Sequence, residues 1–366
     1  MRATAWLGAL LSSLVGAGAL VGGPVGARGA AVTDFGNPAG HFHVPAGGGA
    51  VDSAHPDHVV GDGSPTSCTS AAVVHDVAAG GIVTFDCGPR PVTIVMTTTA
   101  RVIKTRSLVV LDGGGLVTLS GAGRRRILYS DACAGRWSTD DCINQPYPRI
   151  VVQNITFEDG YSGAHQAACT ANVPRCWYGG VDGGGAIYVE GGQFRAVNSR
   201  FIDNRCHGDG PDLGGGAIRA LAQYRNRPVY ITDDTFRGGR CSNGGALSSI
   251  SVQWDILDSR FTDNRAIGWG ANPAARGTPG GGSGGAIYLD GRDDDALIAG
   301  TLMDDNRARE GGGAVFDVVD SGSGTLTFDE SRLHGDTSGE FQTFPGVYYD
   351  LDGHDRSPRM IASTDS

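Results

Sequence analysis

The chain has 366 residues, 60 of them glycine, and carries 39 acidic against 29 basic side chains for a formal net charge of −10. An acid excess of this size argues against a nucleic-acid partner, whose phosphates it would repel. The glycines keep no Gly-X-Y period, which excludes a collagen triple helix.

The chain opens with Arg2, an apolar Ala/Leu/Gly-rich run and then small residues, the pattern of a secretory signal peptide over 1–31. No later stretch reaches the ~20 apolar residues of a spanning helix, so no membrane span is expected in the mature chain. Residues 32–65 are rich in Gly, Pro and His and are expected to be loosely ordered. Residues 69–79 read as a short helix with Val73, Val74 and Val77 on one side, ended by Gly80 and Gly81. The runs VTIVM, SLVVLDG and GLVTLSG follow as strands.

From residue 157 two motifs alternate. One is Gly-Gly-Ala-aliphatic, in GGGAIYVE (183–190), GGGAIRAL (214–221), GGALSSI (244–250), GGAIYLD (284–290) and GGGAVFD (311–317). The other is Phe-x-x-Asn, at Phe201 and Phe261, with looser versions starting at Phe157, Phe236, Met303 and Leu333. Three residues before that position stand Asn154, Asn198, Asp233, Asp258 and Glu330, with Gly300 the exception. The spacing shrinks to 25 residues between Phe236 and Phe261, too short for a crossover helix. An elastic repeat of short strands and polar turns predicts an all-β, parallel β-helix solenoid over 66–350, with the short helix capping its open end. A polar tail, 351–366, is expected to fray.

Stacking fixes the side-chain phase. Ile187, Ile218, Leu247, Ile287 and Val315 are always apolar and should point inward. Their successors, Tyr188, Arg219, Ser248, Tyr288 and Phe316, vary in character, as outward positions do. Paired glycines suit a sharp turn or tight stacking, and the Asn/Asp column suits a left-handed corner.

The eight cysteines suggest disulfides in an oxidising compartment, and no CxxC offers a zinc spacing. Cys206 and Cys241 each lie five residues after a register phenylalanine, so they share a column on adjacent rungs and should be bonded. Cys169 and Cys176 share one insertion, Cys133 and Cys142 an earlier one, and Cys68 and Cys87 bracket the start of the fold.

The GGAI and FxxN pair resembles the repeats of polymorphic membrane proteins, exported β-helical surface proteins. The opening SCTSAAVVHDVAAGGIVTFDCG with LDGGGLVTLSG is similar to secreted right-handed β-helix proteins of the pectate-lyase-like superfamily. The resemblance implies a right-handed β-helix. It does not fix an activity: the Arg-Ile-Lys and Gly-His-Gly of polygalacturonases are missing, and no pectate lyase signature is present. No C-terminal barrel follows the last rung, so autotransport is not expected.

The segments between a Phe unit and the next GGA would leave one edge of the solenoid and wall a groove suited to a chain polymer. Trp177, Trp269, Tyr188 and Tyr288 are the candidate sugar-stacking aromatics, against the alternative that they pack the loops. Asp182 and Asp212 precede the glycines on adjacent rungs, a spacing near that of a retaining glycosidase pair, and Arg219 would hold a carboxylate or an acidic sugar. Asn243 and Glu310 occupy equivalent places, and Glu310 joins the substrate-binding candidates. The competing reading of all four is ordinary turn chemistry. His165 and His207 lie in the same loops. Loop carboxylates are able to bind calcium, but no calcium loop is recognisable, and no cofactor is expected. These features lead to a secreted carbohydrate-active protein acting on an extracellular polysaccharide or cell-surface glycan, as hydrolase or lyase. The alternative is a non-catalytic surface or adhesive protein.

Overall fold

The computed structural model describes residues 35–133, 144–163, 183–211, 213–270 and 275–365. They belong to one unit, Phe35–Ser366, and form a parallel β-helix. The expected signal peptide, 1–31, lies outside the described residues.

Each late rung holds four strands. The rung Leu247–Ile250, Trp254–Leu257, Arg260–Thr262 and Arg265–Ala266 pairs in parallel with Ile287–Gly291, Asp295–Ala299, Leu302–Asp304 and Arg307–Ala308. The first strands build a GGA face, which runs from Ala100–Arg101 to Val347–Leu351. The second and third strands build a second face and a phenylalanine face. These two merge where the long strands Leu108–Ser120 and Arg149–Glu158 turn the corner unbroken.

The register is the one the repeats predict: Phe157, Phe201, Phe236 and Phe261 stack with ring centroids 5.3, 4.7 and 4.8 Å apart. Ile218 and Ile287 are fully buried in the core, whereas Tyr188 faces away from it between inward Ile187 and Val189. The Asn/Asp column turns the corner in the left-handed region, with φ of 50° at Asn154, 51° at Asn198, 54° at Asp233 and 48° at Asp258. The paired glycines have two separate causes. The first takes a positive φ, from 54° at Gly244 to 73° at Gly215. The second must lack a Cβ, because at Gly185, Gly216 and Gly245 that atom would strike the carbonyl oxygen of the equivalent glycine one rung on.

The N-terminal end is closed as a solenoid requires. The helix Ser70–Ala79 is capped by Thr69, whose hydroxyl accepts from the Ala72 amide at 3.2 Å, and it buries Val73 and Val77 over the first rung. The Cys68–Cys87 disulfide ties its entry to the strand Gly81–Asp86.

Two segments differ from expectation. The described part of 32–65 is not loose: from residue 35 it runs as a strap along the left-handed corner, against the direction of rung growth. The Asn37 amide donates to Asp258 O (2.8 Å), Val51 exchanges two 2.8 Å bonds with the Gln153 side chain, and Asp57 exchanges bonds of 2.8 and 2.7 Å with Ile82. The corner presents unpaired backbone groups and polar tips, which an extended chain satisfies; composition alone carries no sign of this. The tail is not frayed either. Arg359–Ile361 and Thr364–Asp365 pair with the strands Thr325–Asp329 and Arg332–His334, because the last full rung leaves an open edge.

Candidate functional site: the outer side of the GGA face

The alternation of each GGA strand sends one row of side chains outward. Register neighbours along it are Tyr129, Tyr188, Arg219, Ser248, Tyr288, Phe316 and Tyr348. Tyr129 stacks on Tyr188 at 5.3 Å, and Tyr288, Phe316 and Tyr348 stack at 5.0 Å intervals. The row is not an open surface: from Tyr188 to Phe316 none of its members is more than 4% exposed. Tyr188 and Tyr288 therefore do not offer their faces to a sugar from solvent, which corrects the stacking role expected of them.

Two residues further along the strands lies a second outward row, and it contains acids. Asp131 and Glu190 are register neighbours on adjacent rungs, each 7% exposed. The hydroxyl of Tyr129 donates to Asp131 Oδ2 at 2.9 Å and that of Tyr188 to Glu190 Oε2 at 3.0 Å. Tyr288 repeats the motif with Asp290 at 2.9 Å. Burial, and then the neighbouring carboxylates, push both the Tyr129 and Tyr188 phenols upward, so they stay protonated and act as donors. The Arg126 guanidinium lies over both rings, 5.5 and 5.2 Å from their centroids, and donates to the carbonyls of Gly184 and Gly183 at 3.0 and 2.7 Å.

Asp131, Glu190 and Cys133 bring one potential ligand atom each within 4.8 Å of one another. Cys133 is disulfide-bonded, so only the two carboxylates could face a cation there. The pair is legible in hindsight as Tyr-x-acid, in Tyr129-Ser130-Asp131 and Tyr188-Val189-Glu190. Sequence reasoning looked for acids ahead of the glycines and passed over it.

Arg219 sits one rung beyond Tyr188. It is 1% exposed, and its Nη1 donates to Ser248 Oγ at 2.8 Å. Its Nε and Nη2 are buried without a hydrogen-bond partner. A desolvated guanidinium with two unmet donors is expensive in isolation and has the geometry of a carboxylate clamp.

The remaining candidates divide. Asp182, Asp212, Trp177, His165, Cys142, Cys169 and Cys176 lie outside the described residues. Glu310 tethers a loop: its Oε1 accepts from the Gly270 amide at 2.9 Å and its backbone amide donates to Gly282 O at 2.8 Å. Asn243 is a turn residue, 1% exposed, donating to Pro211 O at 2.6 Å and accepting from the Ser283 amide at 3.0 Å. Asn243 meets the amide just ahead of the next rung's paired glycines, as the turn reading expects, whereas the Glu310 carboxylate reaches an amide in a separate loop. Trp269 is 36% exposed, with the Arg309 guanidinium 5.5 Å from its ring, so it keeps a surface for a ligand. The His207 ring nitrogen Nδ1 lies 3.4 Å from Ser162 Oγ. Cys206 and Cys241 are bonded as their register predicts, with Cα atoms 4.8 Å apart.

Among the described residues no helix is long and apolar enough to cross a membrane. Comparison of the chain with protein-family models, with curated proteins and with solved structures returned no match.

Proposed function

We propose that the chain is a secreted carbohydrate-active β-helix protein that binds or cleaves an extracellular polysaccharide along the outer side of its GGA face. The carrying observation is the Asp131 and Glu190 carboxylate pair on adjacent rungs, each held by a tyrosine hydroxyl. Retaining glycoside hydrolysis divides its work between two carboxyls about 5–5.5 Å apart, one attacking and one donating a proton. The unmet donors of Arg219 favour a polymer that carries uronate groups, since a planar carboxylate matches the guanidinium fork. Export is supported by the Cys68–Cys87 and Cys206–Cys241 disulfides, which persist in oxidising compartments. The likeness of the repeats to polymorphic membrane proteins, and of the opening to the pectate-lyase-like superfamily, belongs to the same proposal.

One observation favours a second reading, a non-catalytic surface or adhesive rod: the outward row is shut off from solvent from Tyr188 to Phe316. A glycan array, with reducing-sugar and unsaturated-product assays on the purified mature protein, separates the two. The carbohydrate reading expects a bound uronate polymer. If turnover is found, Glu190→Gln should lower it about 100-fold or more while leaving binding and folding intact, since the amide keeps the shape but cannot exchange a proton. No bound glycan and no released sugar leaves the rod.

A further inference from the structure

The second face carries a cavity of about 410 Å³, lined by Arg149, Gln193, Arg195, Arg227, Tyr230 and, from the strap, Gly47. Three rungs supply it. Val151, Arg195 and Tyr230 are register neighbours, so Arg195 points outward between Val151 and the tyrosine ring. The strap completes the wall: a Cβ on Gly47 or Gly48 would come within 3.1 or 2.9 Å of the Tyr230 ring, and the glycines let the backbone lie against it.

The charge in this cavity has one sign. Arg149 and Arg227 are exposed and Arg195 is half-buried. None of the three has a carboxylate within ion-pair distance among the described residues. Arg195 spends one Nη on Gly47 O at 2.9 Å, while its Nε is shielded from water and has no partner. Burial, and then the charge of Arg149, push the Arg195 guanidinium downward. Asp255 is the register neighbour of Tyr230 one rung on and is not among the residues that line the cavity. The chain has ten more acidic than basic side chains, yet it gathers in one concavity three guanidiniums that have no carboxylate partner among the described residues. An anion would relieve their mutual repulsion and meet the Arg195 Nε.

We propose that this cavity binds an anionic saccharide, one or two sugar units bearing a carboxylate or a sulfate. The volume suits a ligand of that size, the guanidinium forks match either oxyanion, and the Tyr230 ring offers a face to a pyranose. Gln193 gives its Nε2 to Pro146 O at 2.7 Å, which leaves its carbonyl oxygen to accept from a sugar hydroxyl. The site is separate from the GGA face and does not rest on the reading of that face.

Isothermal titration calorimetry on the mature protein tests the proposal with digalacturonate, a sulfated chondroitin disaccharide, neutral cellobiose and inorganic sulfate. One or both anionic disaccharides should bind at least tenfold more tightly than cellobiose and than inorganic sulfate, and the better of the two names the oxyanion. The exposed pair R149Q/R227Q should weaken that binding at least tenfold, with an unchanged urea midpoint; R195Q should do the same or more. Because neither Arg149 nor Arg227 lies on the GGA face, that loss also separates this site from it. Binding of inorganic sulfate as tight as either disaccharide overturns the saccharide assignment. So do equal binding of cellobiose, indifference to R149Q/R227Q, or no binding of either anionic disaccharide.

Discussion

Asn264 shows how a polar residue is made part of a solenoid core. It is fully buried; its Oδ1 accepts from the Gly239 amide at 3.0 Å, and its Nδ2 donates to Phe236 O at 3.1 Å and to Asn306 Oδ1 at 2.9 Å. Asn306 continues to Asp336 at 2.8 Å, so the amide column spans rungs beside the stacked phenylalanines. Asn264→Leu keeps the branching of the side chain but orphans a buried N–H and a buried C=O. It should lower unfolding free energy by about 2–6 kcal/mol, at roughly 1–3 kcal/mol per unmet group. Urea unfolding of the variant checks this, and a loss below 1 kcal/mol would mean the column is decorative. The Phe-x-x-Asn spacing was visible in the sequence; the direction of the asparagine was not, because a polar residue in a turn is outward by default. The same applies to the corner, where the buried hydroxyls of Ser259, Thr301 and Ser331 each accept from a backbone amide one rung back, Asp234 N to Ser259 Oγ (3.1 Å), Ser259 N to Thr301 Oγ1 (3.2 Å) and Thr301 N to Ser331 Oγ (3.1 Å).

Strands, disulfide and strap differ in how far the sequence exposes them. Strand phase and the Cys206–Cys241 staple follow from repetition, since a column of equivalent residues on neighbouring rungs can be counted. The bond closes a 35-residue loop, so the Cys206→Ala/Cys241→Ala pair should lose about 4 kcal/mol of stability on the chain-entropy estimate, read from the shift of the urea midpoint. An unchanged midpoint would show that the reduced unfolded chain is already constrained there. The strap repeats nothing and was invisible. Its hold on the corner is local: Gln153→Leu removes both bonds to Val51 and should cost the strap about 1–3 kcal/mol without unfolding the rungs. Hydrogen exchange of the Val51 amide should then accelerate about tenfold or more, while the Ile231 amide keeps its protection. Equal acceleration at both sites would make the strap part of the global folding unit.

At the scale of the whole molecule, a solenoid is legible because each rung restates the last, whereas a site on its flank depends on which excursions meet across rungs. Asp131 and Glu190 come together from positions 59 residues apart, and no periodic rule links them. The acid distribution inside the solenoid has a consequence for its pH response. Asp317 alternates inward with Val315, lies between Leu289 and Tyr349 of the flanking rungs, and is 1% exposed; Asp294 is 2% exposed. All four of their carboxyl oxygens are without hydrogen-bond partners. Burial and then nearby aspartates raise both acids, Asp294 to about 8 and Asp317 well above its ordinary value, while burial raises Asp336 to about 6. A raised acid is protonated in the folded chain where the unfolded chain has already released its proton. Its contribution is complete below about pH 4, the unfolded value, and is lost as pH rises toward the folded one. Stability should therefore fall between pH 4.5 and pH 8, by up to about 1.4 kcal/mol per pH unit for each acid still protonated only when folded. Asp112 runs the other way: its hydrogen bonds from Ser53, Gln153, Gly114 and Asn154 outweigh burial and lower it, so its contribution is lost only on acidification below this window. Urea unfolding at pH 4.5, 6 and 8 measures the slope. Asp317→Asn removes one ionisation while keeping the side-chain shape, so it should flatten the profile and raise stability at pH 8 relative to the parent. A parent profile that rises from pH 4.5 to 8, or a slope between pH 6 and 8 that Asp317→Asn and Asp294→Asn together leave undiminished, would show that these two acids ionise with a partner and do not set the pH response.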